Sequence, residues 1–166
     1  MKSLDLGSGL KPKNPFNANE LYGIDIFPFT VSGFEFKVAD LTIESIPYPD
    51  NYFDYVTAYD FLEHIPRIIY IDGKIKNPFI EVMNEVYRVL KPGGIFKAHT
   101  PYYPHPEVFT DPTHVNVITE KTIDYFTNQA GVLASIYGFV GSFNLLSQYQ
   151  DNINKYHLVW EISAVK

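Results

Sequence analysis

The sequence has no cysteine. That excludes disulfides, thiolate metal ligands and a cysteine nucleophile together. It also lacks any basic run, and 13 Lys and Arg stand against 19 Asp and Glu, for a formal net charge of -6. Nucleic-acid binding draws on a surplus of Lys and Arg to neutralise phosphate, so no nucleic-acid partner is expected. No apolar run has the length that a membrane span needs. The N-terminus does not read as a signal peptide, because Asp5 interrupts its short apolar run at once. A cytoplasmic address is the corresponding expectation. Internal repeats, low-complexity tracts and linkers are missing too, so the 166 residues are read as one domain, 1–166.

Aromatic residues, by contrast, are plentiful: 13 Tyr and 13 Phe. They suit either a densely filled small core or an aromatic-lined pocket. The pattern along the chain alternates strand with helix or loop, the mark of a parallel sheet. Ser3–Leu6, Leu21–Ile26, Phe34–Ala39, Phe53–Tyr59 and Ile95–His99 read as five strands. Val132–Leu146 and Tyr156–Val165 read as two closing strands, joined by a polar turn over Gln148–Asn154. One clear helix precedes the fifth strand. Asn77 suits its N-cap and Pro78 its first position, Ile80, Met83, Tyr87 and Leu90 recur at helical spacing, and Lys91-Pro92-Gly93-Gly94 stops it. A second helix is expected over about Glu120–Asn128, capped by Thr119. The first crossover, Leu10–Glu20, carries Pro12, Asn14, Pro15, Asn17 and Asn19, which predicts an irregular loop in place of a helix. Thr100–Thr113, with four prolines, predicts a long loop after the fifth strand, of the kind that often serves as a lid. The expected fold class is α/β: a doubly wound, mostly parallel seven-stranded sheet with a degenerate first crossover helix.

In such sheets ligands bind outside the carboxyl ends of the strands, at the switch point. The distinctive residues fall there. Asp5-Leu6-Gly7-Ser8-Gly9 follows the first strand, where glycines permit a sharp turn and close backbone approach to a ligand. Asp25 sits near the end of the second strand, where a carboxylate can accept both hydroxyls of a ribose. Asp40 ends the third, where a carboxylate and the next backbone N–H can read an adenine edge, or where it can simply cap a helix.

These pieces resemble a class I S-adenosylmethionine (SAM)-dependent methyltransferase, in the group that includes the quinone-biosynthesis type and many small-molecule enzymes. The resemblance rests on Leu-Asp-Leu-Gly-Ser-Gly (4–9), Gly-Ile-Asp-Ile (23–26), Ala-Asp-Leu (39–41), Ile-Pro-Tyr-Pro-Asp-Asn-Tyr-Phe-Asp (46–54), Phe-Leu-Glu-His-Ile (61–65) and Tyr-Arg-Val-Leu-Lys-Pro-Gly-Gly (87–94). They follow the family's order and cover residues 1 to about 100. The resemblance implies SAM as cofactor and a Rossmann-like fold. It implies that Gly7, Ser8 and Gly9 hold the methionine end and that Asp5 orders the loop or meets the ammonium group. It implies ribose binding by Asp25 with Ile26, adenine binding by Asp40 and Leu41, and Tyr59 and Asp60 facing the cofactor and its methyl group. Two departures stand out. Lys11 occupies the place of the family's third glycine, and the helices that usually precede the first strand are missing, which predicts an open N-terminal side covered by a homodimer mate or a partner subunit.

If the acceptor is a hydroxyl, a base should take its proton. His99, at the exit of the fifth strand, His64 and His105 are the candidates, with His114 on the same long loop as His105. His64 serves equally well as a packing residue, and Tyr102 and Tyr103 either line an acceptor pocket or cap the core. The spacings of His99, His105, Glu107, Asp111 and His114 match no compact metal motif, so no metal is expected. The expected activity is methyl transfer to an oxygen or nitrogen of a small molecule or saccharide. The alternative is a non-catalytic SAM-binding partner subunit. An NAD enzyme is disfavoured because Pro12 breaks the Gly-x-Gly-x-x-Gly fingerprint, and a nucleic-acid amino-methyltransferase because Ala58-Tyr59-Asp60-Phe61 stands where its Asn/Asp-Pro-Pro-Tyr-like motif belongs.

Overall fold

Short runs with buried apolar residues form the central strands β1, β2 and β4 of the first hundred residues, whereas the edge strand β3 is largely exposed. The computed structural model describes residues 1–128 and 132–166. Strands β1 (Lys2–Leu6), β2 (Glu20–Asp25), β3 (Glu35–Val38) and β4 (Phe53–Tyr59) are followed by a hairpin of β5 (Ile69–Ile71) and β6 (Lys74–Lys76). Then come helix α1 (Pro78–Val89), the long strand β7 (Leu90–Pro101), and the closing pair β8 (Phe143–Gln150) and β9 (His157–Ala164). The main sheet has seven strands in the order β3-β2-β1-β4-β7-β9-β8. Neighbours from β3 to β7 pair parallel, and β9 pairs antiparallel with both β7 and β8. The chain winds outward from β1 to β3, returns to β4, and winds the other way. The expected mostly parallel sheet is therefore present, with its switch point between β1 and β4.

Its helical layers are thin. Among the described residues, α1 is the one α-helix. The first crossover holds no helix, as its composition predicts. Asn14 organises it instead: its side-chain oxygen accepts from the Ala18 N–H at 2.8 Å and its amide donates to the Ala18 carbonyl at 3.1 Å. Helix α1 buries Phe79, Val82, Met83, Val86 and Val89 against the sheet. That face lies one residue away from the Ile80–Met83–Tyr87 stripe expected from the sequence; Ile80 and Tyr87 are only partly buried. The buried residues of α1 join Leu4, Leu6, Phe53, Val56, Phe96 and Trp160 in one core, in which each fully buried large side chain contributes about 1.5–3 kcal/mol. Asn77 occupies the N-cap position without a side-chain capping bond.

Three expected elements take other forms. The helix over Glu120–Asn128 is only a 3-10 turn, Ile123–Phe126. The Thr119 N–H donates to Thr122 Oγ1 at 2.9 Å and the Lys121 N–H to Thr119 Oγ1 at 3.2 Å, so side-chain hydroxyls capture donors at its start. The strand expected from Val132 begins only at Phe143, because Leu133–Tyr137 forms another 3-10 turn that ends at Gly138 in the left-handed region, φ 97°. The polar turn over Gln148–Asn154 is displaced, since β8 continues to Gln150. The long loop after β7 is as expected, with one 3-10 turn at Pro106–Phe109.

Two of the quoted sequence motifs act as clamps. Arg88 donates to the carbonyls of Ile46 and Tyr48, each at 2.8 Å, and pairs with Glu85 and Asp50 at 2.7 and 2.8 Å. Asp54 accepts from the Lys2 N–H and from Lys91 Nζ, both at 2.7 Å. Together they tie the segment before β4 to the end of α1 and to the first residue of β1.

Candidate functional site

The carboxyl ends of β1, β2 and β4 converge at the switch point. Gly7 and Gly9 both take positive φ, 69° and 54°, and the N–H groups of Gly7 and Ser8 donate to the Ile24 carbonyl at 2.9 and 3.0 Å. The loop therefore lies across the end of β2. A Cβ on Gly7 would come within 2.9 Å of Phe61, whereas one on Gly9 would meet nothing within 4 Å, so the backbone at Gly9 faces open space. Ser8 is buried.

Asp5 is 2% exposed, and both its oxygens are engaged: Thr57 Oγ1 donates at 2.6 Å and the Lys13 N–H at 2.8 Å. Burial pushes its carboxyl up to about 6 against the pull of those donors. Asp5 thus fastens the irregular crossover to β1 and β4. Asp25 receives the Gly9 N–H at 3.0 Å on one oxygen and the Phe27 N–H at 3.1 Å on the other. A carboxylate offers about four lone-pair positions, so two remain for further donors. Ile26 beside it is exposed. Asp40 accepts from the Thr42 N–H at 2.9 Å, and its carbonyl receives Ile43 and Glu44 N–H, so it caps a turn; Leu41 is in the core.

At the exits of β4 and β7 the fold assembles a cluster of titratable groups. His99 is 7% exposed and lies between two carboxylates: Nε2 meets Asp151 Oδ2 at 2.9 Å, and Nδ1 stands 3.8 Å from Asp60 Oδ1. At 3.8 Å the second contact is Coulombic only, and His99 Nδ1 is buried without a hydrogen-bond partner among the described residues. His157 stacks on His99 at 4.1 Å, and its Nε2 meets Asp60 Oδ1 at 2.7 Å. Tyr59 stacks near His99, with ring centroids 5.1 Å apart. Burial pushes the His99 imidazole down, but the two carboxylates outweigh it and its pKa is raised above 6.5. Asp60 is held well below the usual carboxylate range, because the two imidazoles outweigh its burial.

Tyr59, Asp60 and His99 are thus brought together. His64 stands in a separate cluster with Glu63 and His114. His105 lies beside Tyr102, their rings tilted at 59°, and none of its hydrogen bonds or ring contacts among the described residues reaches His99. Sequence reading missed Asp151 and His157. His157 opens β9 and Asp151 follows β8, and the pairing of β9 with β7 brings them to His99; a polar Asp-Asn-Ile-Asn turn carried no signal of its own. A cavity of about 550 Å³ opens between the first turn of α1 and the segment after the long loop. Phe79, Ile80, Tyr125 and Phe126 line it, with Arg67 and Lys121 among its polar groups. Because α1 runs back against parallel β4 and β7, its first turn lies at the carboxyl edge of the sheet, the same edge as the glycine loop.

The sheet order, the loop at its switch point and the carboxylate at the end of β2 define a nucleotide-type α/β domain. The methyltransferase-domain family matches residues 4–98, and the chain belongs to it. The expectation of a class I SAM-dependent methyltransferase with SAM as its cofactor is met. A demethylmenaquinone methyltransferase from Geobacillus sp. (strain WCH70) is 32% identical over 87 residues, covering 46% of this chain and 32% of that protein. One from Listeria welshimeri is 43% identical over 49 residues, covering 30% of this chain and 16% of that protein. The chain thus spans a third or less of the length of these curated relatives. Among solved structures, a Haloferax volcanii putative methyltransferase in complex with its Trm112 activator superposes with a TM-score of 0.67 at 16% identity, over 99% of this chain and 83% of that one. A SAM-dependent methyltransferase from Mesorhizobium loti gives 0.64 at 14% identity, over 98% and 90%. At these identities the likeness is one of fold.

Proposed function

We propose that residues 1–166 form a single catalytic domain that transfers a methyl group from SAM to an oxygen or nitrogen of a small molecule or saccharide. The observation that carries this reading is His99, desolvated and held between Asp60 and Asp151 at the carboxyl edge of the sheet. The local groups suit the cofactor. The open backbone at Gly9, the two spare lone-pair positions on Asp25 and the turn at Asp40 offer places for an amino-acid end, a ribose and a purine edge respectively. Ser8, Ile26, Leu41 and Tyr59 complete that lining. Bound there, SAM supplies a methyl group already activated by its sulfonium.

The chain's own residues do the rest. Asp5 keeps the glycine loop in place. His99, held between Asp60 and Asp151, takes the proton of the acceptor hydroxyl or amine. Asp60 and Asp151 stabilise the imidazolium that results, and His157 fixes Asp60. The cavity at the first turn of α1, aromatic with a few cationic groups, suits a small acceptor. A partner subunit belongs to the same proposal: Tyr70 and Ile75 form an exposed apolar cross-strand pair on the β5–β6 hairpin. Among the described residues, no helix is long and apolar enough to cross a membrane.

The test is release of S-adenosylhomocysteine from SAM with a panel of hydroxyl and amine acceptors. Loss of a positioned base costs about 10²–10⁴-fold. His99→Ala should therefore lose turnover on that scale while S-adenosylhomocysteine binding, measured by calorimetry, stays within threefold. Undiminished turnover in His99→Ala would remove the proposed base. SAM binding with no turnover across the panel would move the reading to a non-catalytic SAM-binding subunit.

A further inference from the structure

A second group of ligating side chains lies apart from His99. The 3-10 turn Leu62–His64 after β4 carries Glu63 and His64, and the long loop after β7 brings His114 back to them. One ligand atom from each of the three lies within 4.8 Å of the others. The two imidazoles stand edge to face, at 73° with centroids 4.9 Å apart, so their in-plane lone pairs can converge on one point. The His99 and His157 rings, nearly parallel at 18°, are poorly arranged for that.

The hydrogen bonds also settle which nitrogen of each ring is free. His114 Nδ1 lies 3.0 Å from the Val108 carbonyl, which can only accept, so Nδ1 carries the proton. Thr113 Oγ1 donates its own hydrogen to Asp111 Oδ1 at 2.6 Å, so it accepts from His64 Nδ1 at 3.0 Å. In the tautomer these bonds select, the lone pair of each ring sits on Nε2, which has no hydrogen-bond partner among the described residues. A backbone carbonyl or side chain holding the far nitrogen is the usual support for a metal-binding histidine. Glu63 adds a second, independent observation. It is 1% exposed, its Oε2 accepts from Thr100 Oγ1 at 2.9 Å, and its buried Oε1 has no partner among the described residues. A buried carboxylate oxygen left without a donor is costly, and a cation is one partner that satisfies it.

The geometry points to a divalent transition-metal site formed by Glu63, His64 and His114, with at least one coordination position open. Two imidazoles and one carboxylate are a donor set that suits Zn²⁺ better than Mg²⁺ or Ca²⁺. An ion there ties the loop carrying Thr113 and His114 to the end of β4. The site stands independently of the methyl-transfer reading, and its test needs no activity.

The full chain is stripped with a chelator and titrated with Zn²⁺ by calorimetry, with Mg²⁺ as the comparison. The expected result is one Zn²⁺ per chain, bound at least tenfold more weakly by His64→Ala, His114→Ala and Glu63→Gln, and unchanged in His157→Ala. Circular dichroism checks that each variant is folded; should His64→Ala fail to fold, His114→Gln on the loop carries the test. X-ray absorption of the zinc-loaded chain should show imidazole scattering. Three results would overturn the site: no saturable Zn²⁺ binding, binding that survives loss of His114, or binding abolished only by His157→Ala.

Discussion

His99 shows how much a single side chain takes from its surroundings. Its raised pKa comes from two carboxylates acting against burial. A base must be unprotonated to act, so turnover should rise with pH through a pKa above 6.5. Asp151→Asn removes one of the two anions; the acid limb of kcat/KM against pH should then move to lower pH, and an unmoved limb would show that His99 is not the titrating group. The linkage sign follows the same direction. A histidine raised on folding contributes stability that is fully present below 6.5 and is lost as pH rises through its folded pKa. The variant's stability deficit in urea should therefore be larger at acid pH than at alkaline pH. Asp25 gives a second prediction at this scale. Hydrogen bonds to a charged group are worth about 1.5–3 kcal/mol. Asp25→Ala should weaken SAM binding by about tenfold or more in calorimetry, and unchanged affinity would remove it from the ribose site. Asp5, Asp25 and Asp40 were legible as special positions from their places after apolar runs. That Asp5 spends both oxygens on Thr57 and Lys13 was not legible, because those donors come from β4 and from an irregular loop.

At the scale of elements, α1 carries the clearest lesson. Its existence, its start at Pro78 and its end before Lys91-Pro92-Gly93-Gly94 were all readable from proline, glycine and periodicity, although that segment opens strand β7 and does not form a separate turn. Its buried face was not, because Val82, Val86, Ile80 and Tyr87 are all apolar enough to face a sheet, and only the sheet selects among them. Met83 belongs to both stripes and is fully buried. Met83→Ala should cost about 2–5 kcal/mol in urea unfolding, and Ile80→Ala, at the partly buried edge, clearly less. The 3-10 turn at Ile123–Phe126 shows the opposite case. Its threonines read as one cap and a helix start, yet their hydroxyls satisfy the backbone locally, and no regular helix propagates. The β5–β6 hairpin escaped notice because its strands have only three residues each and two of its apolar side chains face solvent.

Across the whole molecule, the family match ends at Ala98, one residue before His99. The proposed cofactor side is thus built from the part that shares the family's motifs, and the His99 cluster joins it to the closing strands. A ligand that bridges those parts should stabilise the fold as one unit. Saturating S-adenosylhomocysteine at about 100 times its Kd adds about 2.7 kcal/mol. For a domain of this size that should raise Tm by roughly 5–10 °C, and the rise should shrink in Asp25→Ala as its affinity falls. The sequence by itself determined the sheet, the glycine loop, the irregular first crossover and the three acidic strand ends, because each is a local matter of side-chain alternation, backbone freedom or helix-breaking composition. Only the tertiary structure decided which histidines work together. His99 joins Asp60, Asp151 and His157 across 39 to 58 positions of sequence, and His64, next to Glu63, joins His114 across 50. No spacing rule reaches that far; strand order and the return of the long loop set those distances.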